Sequence, residues 1–222
     1  MWCIPTITPE FITRMEEVLT LYARPYDPKE PVLNFDEKSK QLIEDARVLT
    51  QTKEGKVRRR DYEYKRNGTR NIFVTVEPKG GYREVTVTTQ RKREDFAHEI
   101  KRIVDLPRYN EAAIIHIVLD NLNTHFAKSF YQTFSKEEAE RILSRIQFHY
   151  TPKHASWLNM AEIEIGVLDR QCIKGRIATE KRLVTQIHAW QHERNRQQAM
   201  INWKFTVTKA REKFTYSGDK LS

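Results

Sequence analysis

Apolar positions along the chain keep two rhythms, and their alternation predicts the order of its elements. Between residues 8 and 24, Phe11, Met15, Val18, Leu19 and Tyr22 recur every three or four places, the spacing of one helical face. Arg24-Pro25-Tyr26-Asp27-Pro28 ends that helix, because proline cannot continue it. Val32-Leu33-Asn34-Phe35-Asp36 then reads as a short buried strand. Lys53 to Arg70 is polar and basic and contains Asn67-Gly68, which predicts an irregular excursion with a turn. The alternation resumes at Ile72, Val74 and Val76, turns at Gly80-Gly81 and returns through Val85 and Val87, the pattern of an antiparallel hairpin. Phe96, Ile100, Ile103 and Val104 predict a helix over 91–106, followed by a strand from Ile114 through Leu119 to Asp120. Ser135-Lys136-Glu137-Glu138 is a capping-box start for a helix reaching about Arg145, and Ile146-Gln147-Phe148-His149-Tyr150 reads as the last strand. Two further helices are expected, one opening at Asn159-Met160-Ala161-Glu162 and running through Cys172, the other from Thr179 with Leu183, Ile187 and Trp190 inward.

Strand, hairpin, helix, strand, helix, strand, helix is the order of an α/β domain, and two of its apolar strands close on an aspartate. Ligands in open α/β sheets gather beyond the carboxyl ends of strands, so Asp36 and Asp120 are candidate site residues. Two carboxylates on neighbouring strand ends repel, and a divalent cation relieves the conflict. Their hard oxygen donors select Mg²⁺ or Mn²⁺. Glu162 admits two readings: a third ligand, or a capping-box partner of Asn159 that satisfies a backbone N–H. Three acids so placed point to phosphoryl transfer on a nucleic-acid backbone.

Charge narrows the partner. The chain of 222 residues carries 39 Lys+Arg against 30 Asp+Glu, a net +9 with pI ≈ 9.5, which favours a polyanion. No stretch approaches the roughly 18 apolar residues of a membrane span, and the N-terminus lacks the basic and apolar regions of a secretory signal. Cys3 and Cys172 have no metal-ligand spacing and make no disulfide framework, so a reducing cytoplasm is expected.

Several local sequences then converge on one family. They are Trp2-Cys3-Ile4-Pro5, Tyr22-Ala23-Arg24-Pro25-Tyr26, Phe35-Asp36-Glu37-Lys38, Asp61-Tyr62-Glu63-Tyr64 with Arg66-Asn67-Gly68-Thr69, Leu119-Asp120-Asn121-Leu122-Asn123-Thr124-His125, and His149-Tyr150-Thr151-Pro152 leading into His154-Ala155-Ser156-Trp157-Leu158-Asn159. Together they make the chain resemble, over nearly its whole length, the catalytic domain of bacterial insertion-sequence transposases of the mariner-like DDE superfamily. The resemblance implies a ribonuclease-H-like mixed five-stranded sheet flanked by helices. It implies a lead-in helix and linker over residues 1–30, a catalytic domain over 31–200 and a C-terminal tail over 201–222. It further implies that Asp36, Asp120 and Glu162 form the metal-binding triad, holding two Mg²⁺ for which Mn²⁺ can substitute. The expected activity is endonucleolytic cleavage of DNA by water, then attack of the freed 3′-OH on target DNA, without a covalent protein intermediate. The expected partners are element ends and a TA target, bound by a homodimer in a synaptic complex within the bacterial nucleoid. Relatives carry N-terminal helix-turn-helix domains; the chain here starts at the catalytic segment, so cleavage with poor end specificity is expected.

Other residues carry weaker signals. Asn121 and His125 adjoin the second Asp and match the family motif, as groups orienting DNA or a ligand, or as a helix cap and a packed histidine. Asp169 lies seven residues beyond Glu162 on the same side of its helix, supporting the site or simply solvated, whereas Glu164 faces elsewhere. Glu37 should point to the opposite face from Asp36. His188 and His192 have zinc-compatible spacing without a third ligand and read as an exposed polar face. Arg58, Arg59, Arg60, Lys65, Arg66 and Arg70 form a candidate phosphate-contacting surface, joined by Lys153 and His154. Trp157 fits either base stacking near a cut or core packing. Two other activities suit the same fold: a catalytically silent DNA-binding remnant that interferes with an intact transposase, and a ribonuclease-H-like nuclease that discriminates by the 2′-OH.

Overall fold

The computed structural model describes residues 7–46, 62–121 and 126–215. A five-stranded sheet organises them: β1 (Val32–Asp45), β2 (Tyr64–Glu77), β3 (Tyr82–Thr88), β4 (Ile115–Leu119) and β5 (Ile146–Tyr150), in the spatial order β3-β2-β1-β4-β5. β1, β2 and β3 pair antiparallel, and β4 and β5 join β1 in parallel, which makes the sheet mixed. Around it lie α1 (Pro9–Ala23), α2 (Arg93–Val104), α3 (Ala127–Thr133), α4 (Lys136–Leu143), α5 (Ala161–Leu168), α6 (Glu180–Arg196) and α7 (Val207–Phe214).

Side-chain alternation assigns the two layers. The odd-numbered positions Leu33 and Phe35 of β1 join Phe73, Ile115, Ile117 and Leu119 in a core closed by Phe96 and Ile100 of α2, Phe130 of α3 and Ile142 of α4. Phe35 is its centre, stacked on Phe73 at 5.6 Å and edge-on to Phe96 at 5.5 Å between centroids. On the opposite face, Ile72 and Val74 meet Ile165 and Leu168 of α5 and Leu183, Ile187 and Trp190 of α6, while Val118 meets Val18 and Tyr22 of α1. The lead-in helix is thus part of the domain's core. It begins at Pro9 behind Thr8, whose hydroxyl accepts from Phe11 N at 3.1 Å.

Also on that face, two buried histidines link Arg24 to Glu17 of α1. Arg24 Nη1 lies 3.1 Å from His116 Nε2, His116 Nδ1 3.0 Å from His149 Nε2, and His149 Nδ1 2.6 Å from Glu17 Oε1. Arginine only donates and a carboxylate only accepts, so along this series of contacts each histidine accepts at one ring nitrogen and donates from the other. Burial, then His149 and Arg24, lower the His116 pKa, which keeps that form.

Three expectations are corrected. Asp36 does not close its strand, because β1 continues to Asp45 as a long ribbon with β2 after its pairing with β4 stops at Asn34 and Val118. Asn67-Gly68 is no turn. It lies inside β2 at the point where the register slips between Gln41 and Ile43, a bulge that Gly68 accommodates with φ of 89°. The expected excursion over 53–70 is therefore strand from Tyr64 onward; its earlier part, with Arg58, Arg59 and Arg60, lies outside the described residues. The segment after 200 is not only a tail, for α7 packs Ala210 into a cluster with Phe11 and Leu19. The Gly80-Gly81 turn holds as expected. Gly81 has φ of 62°, and a Cβ there would meet Gln198 O at 2.5 Å.

Candidate active site

Strand register brings the first two acids together. Asn34 and Val118 are the last pair of the parallel β1–β4 ladder; Asp36 and Asp120 each lie two residues beyond it, Asp36 still in β1 and Asp120 just past the end of β4, close enough for the charge of Asp120 to act on Asp36. Parallel neighbours at equal height share a face, here the α5 face, because Asn34, Lys38 and Lys40 of the same β1 alternation all bond to residues from Met160 onward. Glu162 sits exposed in the first turn of α5, which starts over this edge.

Asp36 is 8% exposed and accepts from its neighbour's backbone, Glu37 N, at 2.8 Å. Burial pushes its pKa up to about 7; the Glu37 N–H opposes that, and the negative charges of Glu162, Asp120 and Glu37 add to it. All three candidate acids therefore act within one electrostatic field. They do not close into a cage, since among the described residues no three His, Cys, Asp or Glu side chains converge closely enough to hold an ion. Hard oxygen donors in mutual repulsion, one deeply buried, nevertheless fit a divalent cation as their shared counter-charge.

Fixed polar contacts hold α5 over the strand. Asn159 is fully buried; its Nδ2 donates to Phe35 O at 2.8 Å and its Oδ1 accepts from Ala161 N at 3.1 Å. The side chain therefore reaches N–H of Ala161, where the capping-box expectation had Glu162 as its reciprocal partner, and Glu162 N instead donates to the Asn159 carbonyl at 3.1 Å. Asn34, also fully buried, accepts from Met160 N at 3.0 Å, and the Tyr22 hydroxyl lies between Asn34 Oδ1 and Leu158 O. Further along α5, Glu164 accepts from Arg83 Nε at 3.0 Å and from Arg194 at 3.1 and 2.9 Å, with both Arg83 and Glu164 side chains wholly buried.

The remaining candidates divide. Asp169 forms an ion pair with Lys38, beside the site on β1. Glu37 points to the opposite face, 3.5 Å from Arg91. Asn121 follows Asp120 and is half-buried, and His125 lies outside the described residues. Lys65 and Arg66 are exposed on the β1–β2 ribbon, whereas Arg70 is engaged by Glu180 at 2.6 Å. Lys153 and His154 line a shallow pocket of about 260 Å³ with Arg14 and Glu10. Trp157 packs edge-on to Phe205 at 5.6 Å within the α1–α7 cluster, the core alternative. Sequence reading missed Asn34, Lys38 and Arg83. The only signal for Asn34 is a polar residue amid an apolar run, on the same alternation as Asp36.

Residues 31–184, most of the chain, match the family described as DDE superfamily endonuclease. The chain belongs to that superfamily. No curated protein matches this DDE endonuclease. Among solved structures it is similar to the Mos1 mariner paired-end complex with Mn, at a TM-score of 0.54 and 13% identity over 97% of this chain and 63% of that one. The pre-cleavage Mos1 transpososome gives 0.52 and 12% over 92% and 67%, and the Mos1 strand transfer complex 0.51 and 13% over 86% and 57%. The likeness establishes the ribonuclease-H-like fold, and the chain spans under two thirds of the Mos1 chain in the first of these. No helix among the described residues is long and apolar enough to cross a membrane.

Proposed function

We propose that this DDE endonuclease is the catalytic domain of a DNA transposase, with Asp36, Asp120 and Glu162 as the ligands of two divalent ions, Mg²⁺ or Mn²⁺. The observation that carries this reading is the buried Asp36, held in repulsion with Asp120 and Glu162 where the parallel β1–β4 ladder gives out. Such ions supply charge neutralisation at a scissile phosphate and an acidified water. Asp36 within β1 and Asp120 at the exit of β4 set one side of the site, and the exposed Glu162 on α5 supplies the adjustable side. Burial pushes the Asp36 pKa up to about 7, so below that pH a cation held there would have to displace a proton. Asn121 follows Asp120 in the chain, and Asp169 pairs with Lys38, two residues beyond Asp36 on β1.

The substrate in this reading is DNA: element ends are cut by water, and the freed 3′-OH attacks a target phosphodiester, joining the element end to that phosphorus as the target's own 3′-oxygen leaves, with TA as the target dinucleotide and a homodimer pairing two ends. Net charge +9 and the exposed Lys65, Arg66, Lys153 and His154 support a polyanionic partner. Mn²⁺-dependent nicking of supercoiled plasmid tests the core of it. Wild-type protein is expected to nick, with activity abolished by EDTA and by Asp120→Asn. Equal nicking by Asp120→Asn removes the triad from the reaction.

A further inference from the structure

Two asparagines stitch the strand that carries Asp36 to the helix that carries Glu162. The Asn159 side chain donates to the backbone of Phe35, the residue before Asp36, at 2.8 Å; the Asn34 side chain accepts from the backbone of Met160, two residues before Glu162, at 3.0 Å. Each reaches across to the main chain beside the other, so residues 34–35 and 159–160 are crossed twice. Both side chains are fully buried. An apolar pair of similar size would fill the same volume without desolvating two amides. Among the described residues Asn34 Nδ2 has no hydrogen-bond partner, a desolvation penalty that packing alone gives no reason to bear.

We infer that Asn159 is a positioning residue, which with Asn34 fixes the separation of Asp36 from Glu162 and thereby sets the affinity of the site for divalent cations. The inference rests on the proposed triad. Its physical basis is distance. Asp36 rides on a sheet and Glu162 on the exposed first turn of a separate helix, joined in the chain only through β2, β3, β4, β5 and their connections. Two carboxylates that repel spread unless something holds their backbones. Asn159 does so next to both, since its Oδ1 also accepts from Ala161 N at 3.1 Å and thus fixes the start of α5. Helix capping and strapping are separate functions of the one amide. Serine at 159 retains a short acceptor suited to a helix start, but it is too short to reach Phe35 O.

The test is Mn²⁺ titration of the full chain, read by the loss of free-ion electron paramagnetic resonance signal, for wild type, Asp36→Asn, Asn159→Ala, Asn159→Ser and Leu183→Ala. Leu183 of α6 packs with Ile165 and Leu168, toward the far end of α5 from Asn159, and serves as a variant that loses stability without touching either asparagine. Asn159→Ala and Asn159→Ser are expected to bind Mn²⁺ about 10- to 100-fold more weakly, the usual consequence of removing a group that orients a ligand. Leu183→Ala should melt earlier yet bind as wild type does. If Asn159→Ala does not fold, Asn159→Ser, which retains the cap, decides the question. Wild-type affinity in the serine variant overturns the strap while leaving the triad intact. Equal binding by wild type and Asp36→Asn, or none by wild type, overturns the triad and the strap with it.

Discussion

Asp36 is a liability in the ion-free protein, and that makes a sharp expectation at the scale of one residue. Its pKa rises to about 7 in the fold from the ordinary carboxylate value near 4. A carboxyl raised in the folded state contributes fully below its unfolded pKa, where both states are protonated, and its contribution is lost as pH rises through the folded value. In EDTA, Asp36→Asn should therefore match wild type near pH 4 and exceed it at pH 8 by on the order of 3 kcal/mol, measured by urea unfolding at both pH values. Added Mn²⁺ should reverse the order at pH 8 by stabilising wild type alone. A variant no more stable than wild type in EDTA at pH 8 would show that the carboxyl is not strained.

At the scale of the element, α5 is the piece whose placement decides the site, and its own sequence says little about how it is held. The helix is nearly all apolar, Ala161-Glu162-Ile163-Glu164-Ile165-Gly166-Val167-Leu168, and Glu164 reads from spacing alone as a residue on some other face. In the fold that other face is the interior. Glu164 there bridges Arg83 of β3 and Arg194 of α6. Arg83 in turn donates to the carbonyls of Gly81 and Arg194, at 3.0 and 2.9 Å. Removing one partner of a buried charge network leaves the others uncompensated, which costs more than the network contributes as a whole. Glu164→Gln is expected to lower stability by about 3 kcal/mol by chemical denaturation, against under about 0.5 kcal/mol for Glu193→Gln on the exposed end of α6. A small loss at Glu164 would mean that apolar packing alone sets α5. The contrast marks what was legible. Local periodicity places α1, α2, α4 and β5 to within a residue or two and finds the start of α6, while strand-end logic proposes Asp36 and Asp120 although β1 runs on past Asp36. Long-range pairings leave no local trace: the Asn159–Phe35 and Glu164–Arg83 contacts join residues 124 and 81 apart. The Asn67-Gly68 signal misleads for a related reason, since glycine with positive φ serves a turn and a bulge equally and only the partner strand decides between them.

The whole molecule presents its excess charge unevenly, and that separates phosphate-binding cations from structural ones. Of the predicted basic surface, Arg70 is held by Glu180 and its neighbour Asn67 by Glu44 and the Ala178 carbonyl, so that stretch ties the β1–β2 ribbon to the start of α6. Lys65 and Arg66 lie further out on the same strand, exposed, with Arg66 resting 5.8 Å from the Tyr64 ring centroid. A cation already paired with a carboxylate gives up that pair to meet a phosphate, whereas a solvated one releases counterions and gains. Lys65→Glu and Arg66→Glu are accordingly expected to weaken duplex binding and to flatten the plot of log affinity against log salt by about 0.9 for each phosphate that goes unneutralised. Arg70→Gln should leave that slope unchanged and show itself, if at all, as a stability loss of up to about 1 kcal/mol. Fluorescence anisotropy of a labelled duplex across a salt series reads both the affinity and the slope. An unchanged slope in both charge reversals would remove the ribbon from the DNA surface and move the interface to the α1–β5 side, where Lys153 and His154 flank Arg14. A changed slope for Arg70→Gln would mean that the Glu180 pair opens on binding, and that the ribbon and α6 part as DNA enters.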